Sequence, residues 1–157
     1  MATYTDSLGF NKGSAAYPAD SLNKTVRVEI TLNFPTIIAA RTAAGATALA
    51  ASDVMEIIPI PAGTIVSNVG MVVTTAAGVT STISIGDGGA AAGYLAATSV
   101  NATGTSGGVP VLASGAFAPT LSGGKVYAAA DTIDILIGTA VPAAAVVRVF
   151  ALLTDIN

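Results

Sequence analysis

The sequence contains no cysteine, no histidine and no tryptophan, and only 10% of its 157 residues are charged. Without cysteine and histidine, a disulfide scaffold and a Cys/His zinc site are both excluded. Catalysis that needs an imidazole or a thiolate is excluded for the same reason. Hydrophobic residues make up 52% of the chain, which rules out a largely disordered protein. The remaining Ala, Gly, Thr and Val are typical of a structural building block, and we expect no enzymatic activity and no cofactor.

The net charge of −3 arises from nine acidic and six basic side chains. Nucleic-acid binding needs clustered Lys and Arg to neutralise phosphates. The basic residues are instead spread singly, at Lys12, Lys24, Arg27, Arg41, Lys125 and Arg148. We therefore expect no nucleic-acid partner.

A mean hydropathy of +0.73 raises the question of a membrane span. A span needs roughly 20 consecutive apolar residues. The best stretch, 135–153, contains Pro142 and Arg148, and the next, 36–51, contains Arg41. The N-terminus also lacks the basic and apolar regions of a signal peptide. We expect a soluble protein without a membrane partner, made in the cytoplasm.

Residues 1–24 lack the regular pattern of the rest and hold three aromatics, Tyr4, Phe10 and Tyr17. They are either a frayed terminus or an extended arm whose aromatics anchor on a neighbouring subunit. The organisation predicted here is an N-terminal arm over 1–24 and one β-sandwich domain over 25–157. Deleting the arm should then leave the sandwich folded and weaken its assembly.

The most regular stretch alternates apolar and polar residues from Val26 to Phe34, which predicts a strand with one buried face. Pro35 should break or kink that strand, or place it at a sheet edge. The Ala-rich segment that follows predicts a strand end over 37–41 and then a loop. A short helix over 46–51 is the competing interpretation.

Further β-branched runs, separated by Gly-rich turns, predict additional short strands. They lie at 54–60, 64–75, 80–85, 132–137 and 146–154, with weaker candidates at 94–100, 109–113 and 125–129. Seven or eight such strands without long helical patterns indicate an all-β sandwich or barrel. Periodicity alone does not separate a jelly roll from an immunoglobulin-like sandwich.

Paired carboxylates are the remaining catalytic device, and two pairs occur, Asp53 with Glu56 and Asp131 with Asp134. A spacing of three residues places the members of a pair on opposite faces of a strand. Structural roles are favoured, with Asp53 and Asp131 bonding turn amides and Asp134 on the polar side of its strand. A dyad assembled from distant strands stays open.

The run Gly86-Asp87-Gly88-Gly89 superficially suggests a phosphate loop. A Walker motif would need Gly-Lys-Ser/Thr before a helix, and a dinucleotide fingerprint would need βαβ context. Asp87 alone is too few ligands for Ca²⁺. A hairpin turn is the favoured interpretation, and no catalytic, cofactor or metal residues are assigned.

The order of these features resembles small virion proteins of tailed bacteriophages, the capsid decoration or cement proteins. The resemblance covers roughly residues 25–155. It rests on ASDVMEIIPIPAGTIV at 51–66, on IGDGG at 85–89 before GYLA at 93–96, on ADTIDILI at 130–137 and on VVRVFALLTD at 146–155.

The resemblance implies a β-sandwich, often a jelly roll, that forms dimers or trimers on the capsid surface and ties major capsid subunits together. Partners would then be the major capsid protein and other copies of this chain. Two alternatives stay open. One is another virion part, such as a head fibre base, minor capsid or tail-tip protein, and the other is a small adhesin or carbohydrate-binding sandwich.

Overall fold

The computed structural model describes residues 1–10, 12, 25–107 and 124–156. Within these ranges the chain forms ten strands and one helix. The elements are β1 (Thr3–Tyr4), β2 (Thr25–Asn33), α1 (Phe34–Ala43), β3 (Val54–Ile60), β4 (Thr64–Thr75), β5 (Thr82–Asp87), β6 (Ala90–Ser99), β7 (Gly104–Gly107), β8 (Lys125–Tyr127), β9 (Asp131–Ile137) and β10 (Val146–Asp155).

The strands form two five-stranded sheets that enclose one hydrophobic core. Sheet I has the order β1-β3-β9-β5-β6. Sheet II has the order β2-β10-β4-β7, and β8 pairs with another part of β4. The neighbours pair antiparallel, apart from β1, which lies parallel to β3. The predicted all-β sandwich is therefore confirmed.

Strand β10 lies at the centre of sheet II, between β2 and β4. Its inward side chains Val147, Val149, Ala151 and Leu153 are fully buried. Arg148, on the outer side of the strand, is exposed. The sandwich covers one face of this strand, and the other face carries half-buried apolar side chains.

The segment after β2 differs from the prediction, because α1 takes the place of a strand end and loop. Asn33 caps this helix by accepting the Thr36 N–H at 3.2 Å, and Pro35 lies in the first turn. Both residue types favour helix starts. The side chains of Phe34, Ile37 and Arg41 are buried on one helix face. The short helix over 46–51 is also wrong, since that stretch is irregular.

Most other strand predictions are confirmed, two of them with identical bounds, 54–60 and 64–75. One of the Gly-rich stretches expected to form turns between strands is a strand instead. Its residues 104–107 form β7 against β4. Pairing with a long neighbouring strand overrides the turn preference of Gly and Ser there. The candidate strand at 109–113 lies outside the described residues.

The described N-terminal residues pack on their own sandwich, which corrects the hypothesis that their aromatics serve a neighbour. Tyr4 and Phe10 belong to the hydrophobic core. The Tyr4 hydroxyl donates to Asp53 Oδ2 at 2.9 Å, and its ring lies 4.1 Å from the Arg41 guanidinium. Arg41 in turn forms an ion pair with Asp6 at 2.8 Å. Tyr17 lies outside the described residues, and the domain boundary at residue 24 stays a prediction.

Gly9 allows the N-terminal segment to approach α1 closely. Its φ is +82°, and a Cβ added there would lie 2.5 Å from the Ile37 Cα. Only glycine adopts this conformation readily and leaves the space that the helix backbone occupies. The absence of a side chain at Gly9 therefore lets the backbone of the N-terminal segment pack directly against α1.

We expect Gly9→Ala to lower the free energy of unfolding by about 2–4 kcal/mol, through steric overlap added to left-handed backbone strain. Gly45→Ala is the matched control, because Gly45 also has a positive φ, +62°, but has nothing within 4 Å of its added Cβ. The control should cost about 1 kcal/mol. Urea denaturation of both variants measures the difference, and equal losses would contradict the close contact.

Candidate functional site

The hairpin turn between β5 and β6 places Asp87 in a buried polar network. Its Oδ1 accepts the N–H groups of Gly89 at 3.0 Å and Ala90 at 2.9 Å. Its Oδ2 accepts from the Lys125 ammonium and the Tyr127 hydroxyl, which come from β8 in the other sheet. Asp87 thus joins the two sheets at one end of the sandwich.

The electrostatics of this network favour an ionised Asp87. Burial alone would raise its pKa, but the hydrogen bonds from Lys125 and Tyr127 outweigh burial and hold the pKa below its usual range. Burial raises the pKa of the Tyr94 hydroxyl, which is hydrogen-bonded to Tyr127. The Asp87 carboxylate therefore accepts hydrogen bonds from four donors within the fold.

We expect Lys125→Met to destabilise the protein by about 2–3 kcal/mol, because it leaves a buried carboxylate without its cation. Lys12→Met is the matched control, since Lys12 pairs with the more exposed Glu56 at 3.7 Å. A pair of that kind contributes at most about 1 kcal/mol. Denaturant midpoints at neutral pH measure both changes, and a neutral Lys125→Met would show that Asp87 does not need the ammonium.

Beside this network, acidic side chains from three strands of sheet I line a cavity of about 210 Å³. They are Glu56 on β3, Asp87 on β5, and Asp131 and Asp134 on β9. Glu56 and Asp134 are direct cross-strand partners. The predicted placement of Asp131 and Asp134 on opposite faces is wrong, since both line this cavity. Asp131 begins its strand, and its carboxylate accepts the N–H of the next residue, Thr132, at 2.8 Å. The side chain therefore folds toward its own backbone.

Asp134 is the acid most affected by this arrangement. Burial raises its pKa to about 6, and the negative charges of Glu56, Asp131 and Asp87 act in the same direction. A hydrogen bond from the Thr132 hydroxyl at 2.6 Å opposes the shift. Asp134 is only 4% exposed. Its predicted place on the polar side of the strand implied a solvated side chain, which is wrong.

This shift predicts how stability depends on pH. An acid whose pKa is higher in the folded state stabilises the fold when protonated, so its contribution is present below the unfolded pKa of 3.8 and is lost as pH rises through about 6. Asp134→Asn should therefore raise stability above pH 7, by up to about 3 kcal/mol. The gain should vanish below about pH 3, because Asp134 is protonated in both the folded and the unfolded state there.

Thermal unfolding of wild type and Asp134→Asn across that pH range tests the prediction, with Asp155→Asn at the end of β10 as control. A gain that is equal at all pH values would reject the protonation mechanism.

Asp53 does not line this cavity. Asp53 is separated from the cavity acids by its own bonds, since it accepts the N–H groups of Ala2 and Ala50, each at 2.8 Å, and the Tyr4 hydroxyl. Burial would raise the pKa of Asp53, but these bonds hold it below its usual range. Among the described residues, no group of three or more acids is placed to hold a metal ion.

A second cavity, of about 250 Å³, lies beside α1 and is mainly apolar. Its lining includes Ile38, Leu49 and Val141. The charged group at its wall is Arg41, whose guanidinium already binds Asp6 and the Thr47 carbonyl, the latter at 2.8 Å. A small ligand there would gain apolar contact and little directional recognition.

The outer face of sheet II is formed by the outward side chains of β2, β10 and β4. Its apolar members are half-buried and its charges form a connected group. The Arg27 guanidinium lies 4.9 Å from the Phe150 ring centre. Glu29 pairs with Arg27 at 2.7 Å and with Arg148 at 3.3 Å. The apolar side chains are Ile65, Val72, Phe150 and Leu152, with Val126 exposed at the edge.

Sequence reasoning missed the Asp87–Lys125 link because the two residues are 38 positions apart and lie in different sheets. It also missed buried Arg41, which was counted as one of the scattered basic residues. The sequence did contain a signal for the outer face of sheet II, the alternation of polar and apolar residues on β2. Arg27 and Glu29 lie on that face as the alternation predicts.

No helix within the described ranges has the length and apolar character to cross a membrane.

No protein-family model and no curated protein matches the chain. Its fold is similar to that of a chain from the capsid of Ralstonia phage GP4, with 19% identity, a TM-score of 0.51 and 89% of each chain covered. A chain from the capsid asymmetric unit of cyanophage Pam1 is also similar, with 19% identity, a TM-score of 0.47 and coverage of 89% and 91%.

Proposed function

We propose that this protein is a structural component of a bacteriophage virion, a decoration or cement protein that binds the outside of the head and stabilises contacts between major capsid subunits. The observation that carries the proposal is the fold shared over 89% of the chain with a chain of the phage GP4 capsid. The motif resemblance found in the sequence supports the same role.

The outer face of sheet II supplies a surface suited to assembly. A sheet face that carries Phe150, Leu152 and Val72 between a few charges offers apolar area together with directional contacts. Several of the few charged side chains are buried, Arg41 and Asp87 among them. Its surface is correspondingly poor in the charges that keep proteins apart.

A cement role requires binding and no reaction. A protein that binds the assembled shell, and not its separate subunits, shifts the equilibrium toward the shell by mass action. The sheet I cavity then needs no catalytic role, and a preformed sandwich limits the conformational entropy that binding costs.

The test uses phage particles prepared with and without this protein. We expect the protein to co-purify with virions, and cryo-EM of these particles to show its sandwich on the outer surface of the head. Adding purified protein to particles that lack it should raise the temperature at which they release DNA. Phe150→Glu should abolish this gain, whereas Val79→Glu, at an exposed residue away from that face, should retain it.

Density at the tail would favour the alternative of a tail-tip or fibre-base component. Absence of the protein from purified virions would reject a virion role altogether. Specific binding on a glycan array, without any effect on particles, would instead support the adhesin alternative.

A further inference from the structure

Strand β2 is a long edge strand of sheet II. Within the described part of the chain it pairs with β10 alone, over nine consecutive residue pairs and without a register shift. Its other side presents backbone N–H and C=O groups, the feature by which sheets add a further strand. Because the ladder to β10 is regular, this edge is straight enough to accept a partner strand.

The hydrogen-bond pattern determines which residues of β2 point their backbone groups outward. The Phe34 N–H donates to the Ala145 carbonyl at 3.1 Å, so the backbone N–H of residue 34 points toward the chain segment that leads into β10. In an antiparallel ladder bonded pairs alternate with unbonded ones. Residues 26, 28, 30 and 32 therefore bond to β10. The N–H and C=O groups of 25, 27, 29 and 31 face away from it.

These outward groups match those of a second copy of β2 when the two strands run antiparallel about a two-fold axis at Val28. In that register Arg27 lies opposite Glu29 of the second copy, and Thr25 lies opposite Thr31. Both pairs consist of residues whose backbone groups face outward, as a bonded pair requires. The interface is isologous, so each contact occurs twice.

The charges of β2 select this register over its neighbours. A shift of two residues in one direction places Arg27 opposite Arg27, and in the other direction Glu29 opposite Glu29. Like charges directly opposite are destabilising, and opposite charges are favourable. A shift of one residue would turn buried Val28 and Ile30 toward the polar face of the partner.

We propose that two copies of this protein associate through β2, with Arg27 and Glu29 of each copy paired across the two-fold axis at Val28, so that the two copies of sheet II become one continuous sheet. On its outer face the four side chains form an alternating group of two guanidinium and two carboxylate groups. On the inner side Val26 meets Ile30 of the second copy. This inference goes beyond the virion role and does not depend on it.

A charge-swap series on the purified full-length chain tests the proposal by sedimentation equilibrium. Arg27→Glu and Glu29→Arg each place like charges opposite at both symmetric positions, and each should weaken the dimer about tenfold or more. The double variant Arg27→Glu/Glu29→Arg restores opposite charges and should recover most of the wild-type affinity. Lys12→Glu is the charge-reversal control, because Lys12 pairs with Glu56 on β3 of the other sheet and not with a residue of the β2 edge.

Engineered cysteines test the register independently of affinity, because the chain has no cysteine of its own. Thr25→Cys and Thr31→Cys are exposed positions that face each other in the proposed dimer. Under oxidation, a mixture of the two variants should form a disulfide-linked heterodimer, since Cα atoms of bonded pairs lie about 5.5 Å apart. Each variant alone should not crosslink, because its two cysteines lie about 20 Å apart, six residues along the strand.

Circular dichroism and thermal melting should show that every variant remains folded. A wild-type protein that stays monomeric at all accessible concentrations would overturn the proposal. So would a dimer unaffected by Arg27→Glu, or crosslinking of Thr25→Cys with itself. None of these outcomes bears on whether the protein occurs in virions, so a failed dimer and a failed virion role are distinguishable.

Discussion

The pairing of β10 with both β2 and β4 is the interaction on which the rest of the structure depends. The β2 partners of β10 lie more than a hundred residues away in the chain, as Ile30 does from Val149, and its β4 partners lie more than seventy residues away. The four fully buried side chains of β10 form the middle of one wall of the core. Sheet I closes the core from the other side, and its own order β3-β9-β5 also joins distant segments.

The few charges of the chain are placed where they hold elements together. Arg41 links α1 to the N-terminal segment through Asp6, and Lys125 links sheet II to the β5–β6 turn through Asp87. Each buried ion in these pairs has several hydrogen-bond partners, which offsets the cost of removing it from water. The consequence is a surface with little charge repulsion, which suits a protein that assembles.

The sequence predicted the positions of most strands but not which strands pair with each other. Strands at 54–60 and 64–75 are delimited by Pro and Gly, so their bounds could be read directly. The helix α1 was missed because its buried face has only three members, and Asn33 and Pro35 fit a strand end as well as a helix start. The acidic cavity depends on how β3, β5 and β9 align, and local periodicity contains no information about that register.

The order of the strands in the chain has a kinetic consequence, since β10 follows both of its neighbours, β2 and β4. Because β2 and β4 make no pairing with each other and meet only through β10, sheet II cannot close while the ribosome is still making the preceding strands. Until β10 has been made, β2 and β4 lack the strand that joins them in sheet II. Such non-local ladders form slowly, so folding of this protein should be late, cooperative and sensitive to chaperones.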